Sequence, residues 1–112
     1  MLSVNDQTFS STVLESSQPV LVHFWAPWCG LCLLIHPLLS KVQSEWDGPL
    51  KLVSVNADEN FKLANTYRLR NLPTLILFDQ GQIIHRLEGV QGREELIKTL
   101  KGLQVNSFAK SA

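Results

Sequence analysis

Apolar residues are distributed along this chain in two alternating patterns. Short segments rich in apolar residues are typical of strands. The segment at residues 20–25 is nearly all apolar, those at 50–55, 74–78 and 82–87 are also predicted strands, and residues 2–5 could form a short edge strand. Segments with apolar residues at every third or fourth position predict helices, and these lie at residues 6–16, 33–46, 59–67 and 93–103. The expected order of elements is therefore β-α-β-α-β-α-β-β-α.

This order predicts an α/β fold. Strands joined through helices are expected to run parallel, whereas the last two, joined by Asp79-Gln80-Gly81, are expected to form an antiparallel hairpin. The result would be a central mixed sheet of about five strands with helices on both faces. The 112 residues, 45% of them apolar, suit a single domain over residues 1–112, with residues 104–112 as a flexible tail.

The charge balance and the cysteine content reduce the number of possible functions. Ten basic and ten acidic side chains cancel, so we expect no binding to nucleic acid or to an anionic membrane. No apolar run approaches the roughly 18 residues that a membrane-spanning helix needs. The first six residues do not have the pattern of a secretory signal, and two cysteines cannot form a disulfide framework. We therefore expect a cytoplasmic protein whose thiols act by cycling.

The most informative segment is Trp28-Cys29-Gly30-Leu31-Cys32, which holds both cysteines of the chain. It joins a predicted strand to a predicted helix, and the free N–H groups and dipole of a helix start stabilise a thiolate. We therefore predict that Cys29 attacks a disulfide and that Cys32, one turn further in, resolves the mixed disulfide. Gly30 would allow a substrate backbone to approach closely, and Trp28 would cover one side of the thiols.

Two other interpretations of the cysteines stay open. They could be reduced thiols packed as small apolar groups. They could also bind zinc together with His23 and His36. Zinc sites with this spacing usually lie on a turn with a second well-spaced pair, whereas His23 lies within a predicted strand and His36 in a helix before Pro37. We therefore expect no metal.

The chain resembles the thioredoxin family over roughly residues 2–103. The matching positions are the Trp28–Cys32 motif, Phe24-Trp25-Ala26 before it, Pro37 after it, Leu72-Pro73-Thr74 and Gly89. The resemblance implies the thioredoxin fold and protein-disulfide oxidoreductase activity. It also implies that no cofactor is needed besides the redox-active Cys29–Cys32 pair.

A substrate site also follows from the resemblance. Pro73 falls where thioredoxins carry a cis-proline, which would expose the Leu72 backbone for strand-like pairing with an extended substrate segment. The loop at Gly89 and Val90 would form the opposite wall, although Gly89 could equally be an ordinary turn glycine. The residues expected to bind substrate are Trp28, Gly30, Leu31, Leu72, Pro73, Gly89 and Val90.

Four positions depart from the family pattern. His23 and Ser54 replace a buried aspartate and a nearby lysine, so His23 could be the general base for Cys32 or a neutral core histidine held by one hydrogen bond. Leu31 replaces a proline and restores an N–H near Cys29, which should make the disulfide more oxidising. Leu33 replaces a basic residue and leaves the rim of the site more apolar.

Our leading hypothesis is a monomeric thioredoxin-like oxidoreductase. Its partners would be disulfide-containing proteins and a reductase or another electron donor. The alternative is an interaction or regulatory protein of the same fold with little general reductase activity, which a general disulfide assay would distinguish. Reduction of small disulfides in the glutaredoxin manner is disfavoured because the motif lacks the usual Pro-Tyr pair.

Overall fold

A mixed five-stranded sheet forms the centre of the structure, a computed structural model that describes residues 1–89 and 94–102. Its strands are β1 (Leu2–Ser3), β2 (Val20–Trp25), β3 (Lys51–Asn56), β4 (Thr74–Asp79) and β5 (Gln82–Glu88). They lie in the order β1-β3-β2-β4-β5. The predicted mixed sheet is confirmed, and the limits of β2 to β5 agree with the apolar runs to within one residue.

The direction of β4 corrects one expectation. β1, β2 and β3 run parallel, but β4 runs antiparallel to β2, with Thr74 opposite Phe24. The intervening helix α2 (Phe61–Thr66) has six residues and is about 9 Å long, whereas a six-residue strand spans about 20 Å. The helix alone covers less than half of that length and does not return the chain to the far edge of the sheet. β4 therefore begins at the edge where β2 and β3 end.

Helices cover both faces of the sheet, as expected. The long helix α1 (Gly30–Glu45) and helix α3 (residues 94–102) pack on one face, where the core consists of Leu21, Ile35, Leu39, Val42, Leu50, Leu52, Leu75, Leu77, Leu96 and Leu100. A π-helical turn (Ser10–Leu14) and α2 pack on the other, where the core includes Phe9, Val13, Val22, Phe24, Val53, Val55, Leu63, Ile76 and Phe78. The predicted tail at residues 104–112 lies outside the described residues.

The first predicted helix is shorter than its apolar pattern suggests. Regular helical structure is limited to Ser10–Leu14, and Asp6 does not begin it. The Asn5 side chain instead accepts the backbone N–H groups of the next turn, while the Asp6 carboxylate accepts the N–H of Leu63 at 3.0 Å. The residue expected to cap this segment therefore stabilises the start of α2.

The hairpin between β4 and β5 forms as predicted. Gln80 and Gly81 both have positive φ, at 54° and 76°, as a two-residue turn that matches the strand twist requires. A Cβ atom at Gly81 would lie 2.9 Å from the backbone oxygen of Leu14. Glycine is thus needed here both for its conformation and for its small size.

Candidate active site

The two cysteines lie where β2 leads into α1. Cys29 occupies the N-cap position of α1 in an extended conformation, with φ −89° and ψ 102°. Its Sγ accepts the backbone N–H of Cys32 at 3.1 Å, which satisfies one of the free donors at the helix start. The two residues form a disulfide, with their Cα atoms 5.3 Å apart.

The two sulfur-bearing residues differ in exposure. Cys29 is 6% exposed, whereas Cys32 is completely buried. Trp28, immediately before them, is 70% exposed, and its Nε1–H donates to Asp58 Oδ2 at 2.9 Å. Asp58 follows β3, so this bond joins the loops after two neighbouring strands. It fixes one edge of the indole while leaving the ring face open to a partner.

The Leu72–Pro73 segment lies at the same edge of the sheet. Its peptide bond is cis, and it leads directly into Thr74 at the start of β4. Thr74 pairs with Phe24, close to the end of β2 that precedes the cysteines. Pro73 is buried, and Leu72 is half-buried against the core that contains Phe24. The structure thus brings two segments about 44 positions apart in sequence to one edge.

The remaining residues predicted to bind substrate differ in their exposure and packing. Gly30 is exposed, and a Cβ atom there would meet no heavy atom within 4 Å. Leu31 is half-buried and packs on the core beneath α1. Gly89 is exposed, with φ 64° at the end of β5. Val90, predicted to stand beside it, lies outside the described residues.

Comparison with known proteins identifies the family. The family model described as Thioredoxin matches residues 1–102. The chain belongs to the thioredoxin family. It is 42% identical over 98 residues to Thioredoxin 1 of Nostoc sp., covering 88% of this chain and 92% of that protein. It is 36% identical over 105 residues to the Thioredoxin of Mycobacterium bovis, covering 94% and 90%. The Cys29–Cys32 pair is thus the redox centre of a thiol-disulfide oxidoreductase.

One relative carries a compartment in its name. A Thioredoxin M-type protein of Chlamydomonas reinhardtii, named as chloroplastic, is 40% identical over 99 residues, covering 88% of this chain and 71% of that protein. Within residues 1–89 and 94–102, no helix has the length and apolar character needed to cross a membrane.

His23, where the resemblance to the family implies an aspartate, is only 1% exposed. It lies on the face of β2 that α1 covers, between Ser54 of β3 and Leu75 of β4. Its ring centroid is 5.7 Å from that of His36 on α1. Burial, and secondarily the charge of His36, lowers the pKa of His23 to about 4. The side chain is therefore neutral near pH 7.

The hydrogen bonding of His23 bears on its role. Among the described residues, neither Nδ1 nor Nε2 of His23 has a hydrogen-bond partner. A purely structural histidine was expected to be held by one such bond, and that bond is not found in this part of the chain. Within the same residues, no group of three or more His, Cys, Asp or Glu side chains is arranged to hold a metal ion. The zinc interpretation therefore gains no support from the geometry.

Sequence reasoning missed three features of the site. It did not foresee the Trp28–Asp58 hydrogen bond or the contact between the rings of His23 and His36. It also missed Trp25, whose buried Nε1 has no hydrogen-bond partner among the described residues. The sequence did contain one indication of the His23–His36 contact. His36 lies four residues after Cys32 in a predicted helix, so these two residues share a helical face.

Proposed function

We propose that this protein reduces disulfide bonds in other proteins, with Cys29 as the attacking sulfur and Cys32 as the resolving one. The observation that carries this assignment is the contrast between the two residues. Cys29 caps α1 and retains some exposure, whereas Cys32 is fully buried in the first turn. The Cys32 N–H that now donates to the Cys29 sulfur would stabilise a Cys29 thiolate, together with the helix dipole.

The reaction is a pair of thiol-disulfide exchanges. The Cys29 thiolate attacks one sulfur of the substrate disulfide, and the other substrate sulfur leaves with the bonding electron pair and takes up a proton. The Cys32 thiol then loses its proton, and its sulfur attacks Cys29. The Cys29–Cys32 bond forms as the second substrate sulfur leaves. Two electrons pass from the dithiol to the substrate.

Substrate docking would use the sheet edge around the disulfide. The Leu72 backbone just before cis-Pro73 is placed to pair with an extended substrate segment, and Trp28 offers an exposed aromatic face. Gly30 leaves open space above the start of α1. Further contacts would come from Leu31, Gly89 and Val90.

The catalytic cycle needs an electron donor to regenerate the dithiol. The donor we propose is a reductase or another thiol-reducing protein, which would place the chain in an electron-transfer pathway. We further propose that the protein acts in the cytoplasm as a monomer. Its formal net charge of zero is consistent with a protein that is not drawn by charge to an anionic membrane or to nucleic acid.

Two cysteine variants test the proposal. With dithiothreitol as donor, the wild-type protein should reduce an exposed protein disulfide, and Cys29→Ser should be inactive. Cys32→Ser should accumulate mixed disulfides through Cys29, which mass spectrometry of the trapped adducts would locate. Full activity of Cys29→Ser, or adducts formed on Cys32 in that variant, would reverse the assignment.

A further inference from the structure

The side chain of Cys32, the resolving residue, is out of contact with solvent. Cys32 must lose a proton before its sulfur can attack, yet the residue is fully buried. His23 is almost as buried, and His36 on the next turn of α1 is half-buried. The exposure of the three side chains therefore rises from Cys32 through His23 to His36.

The geometry of α1 brings this series together. Residues four apart on a helix lie on one face, and helical side chains lean toward the N-terminus, so the ring of His36 leans toward the turn that holds Cys32. His23 approaches from the sheet beneath, and its ring centroid lies 5.7 Å from that of His36. One bridging water or a small ring rotation is sufficient to connect two rings at this distance.

We propose that His23 and His36 form a proton relay that carries the Cys32 proton to solvent during the resolving step. This inference rests on the proposed roles of Cys29 and Cys32. The Cys32 proton moves to the unprotonated nitrogen of His23, while the proton on the other His23 nitrogen moves to His36 and then to water. Re-reduction of the disulfide runs the transfer backward and restores the original tautomer of His23.

The hydrogen-bonding state of His23 fits a relay. A neutral imidazole has one nitrogen that donates and one that accepts, and a relay needs both. Neither nitrogen is engaged by another described residue. The buried Nε1 of Trp25 lies on the same face of β2 but can only donate, so it cannot receive the proton.

His23 is poorly suited to hold the proton itself. An ordinary thiol has a pKa of about 8.5, so transfer from it to a base with a pKa of about 4 is unfavourable by a factor of roughly 10,000 or more. A relay avoids this cost because His23 gives up one proton as it gains another. In the sheet, Ser54 of β3 and Leu75 of β4 lie on either side of His23. Among the described residues, His36 is the group whose charge acts on the pKa of His23.

The decisive variant is His36→Ala, because position 36 is half-buried and its loss should leave the fold intact. Rapid mixing of reduced protein with a protein disulfide, followed by acid quench and mass spectrometry, separates formation of the mixed disulfide from its decay. Decay should slow by about a hundredfold, the low end of what positioned proton transfer contributes, while formation changes by less than about twofold. Added imidazole should restore decay in His36→Ala but not accelerate the wild type.

His85→Ala provides the matched control. His85 is also half-buried, but it lies on β5 opposite Leu77, away from the cysteines. Its decay rate and pH profile should match those of the wild type. Two results for His36→Ala would overturn the relay. One is a decay rate equal to that of the wild type. The other is a slower decay that added imidazole does not restore and that depends on pH as in the wild type. Failure of the wild type to form any mixed disulfide through Cys29 would instead reject the proposed function.

Discussion

Acid should destabilise this protein through His23 in a way that can be calculated. Folding lowers the pKa of His23 from 6.5 to about 4, first because the ring is buried and second because His36 is close. At His23 the unfolded chain therefore binds a proton more readily than the folded chain does. The stability that depends on a neutral His23 ring is fully present above pH 6.5 and is lost as the pH falls toward 4. One pKa unit corresponds to about 1.4 kcal/mol, so the free energy of unfolding should fall by about 2 kcal/mol from pH 7 to pH 5 and by about 3 kcal/mol at pH 4.

The assay is urea unfolding of the oxidised protein and of His23→Leu between pH 7 and pH 4. Carboxyl groups titrate in both proteins, so the difference between the two stability curves isolates the histidine. His23→Leu should lose about 3 kcal/mol less than the wild type at pH 4. Parallel curves would refute the reasoning. Should the variant fold poorly, NMR titration of the His23 ring gives a second test, and protonation near pH 6.5 would contradict it.

Three further substitutions have expected outcomes. Leu31→Pro should make the disulfide more reducing by about 20 mV against glutathione, since about 1 kcal/mol of thiolate stabilisation is lost with one N–H. Gly81→Ala should lower the free energy of unfolding by about 2 kcal/mol in urea, because its Cβ would meet Leu14 and φ is positive. Asp58→Ala should raise the KM for a protein disulfide by freeing Trp28, whereas Asp58→Asn, which keeps an acceptor oxygen, should not.

The parts of the fold that depend on local pattern could be predicted from the sequence. The apolar run at residues 20–25 is β2 without change, because Pro19 precedes it and Ala26-Pro27 follows. The direction of β4 could not be predicted in this way. The decisive quantity is the length of α2, and the apolar spacing over residues 59–67 does not show that its regular part covers only Phe61–Thr66.

The candidate site likewise has features that the local sequence predicts and features that it does not. Cys29 and Cys32 were recognisable because a helix start and a thiol pair are adjacent in the chain. The contact between His23 and His36 depends on how α1 lies across the sheet, which neither segment specifies alone. Trp28 and Asp58 likewise meet only because β2 and β3 end at the same edge. Contacts between distant segments therefore required the structure.

The N-cap role of Cys29 connects redox chemistry to folding. The same sulfur caps α1 and forms half of the disulfide, so the interactions that stabilise a thiolate there exist only in the folded chain. Oxidation and unfolding then form a closed thermodynamic cycle. The stability gap between the oxidised and reduced proteins equals the free energy that separates the potential of the native cysteine pair from that of the unfolded pair. A substitution at the start of α1 that changes the native potential and leaves the unfolded pair's potential unchanged must therefore change the stability gap between the two redox forms by the equivalent free energy.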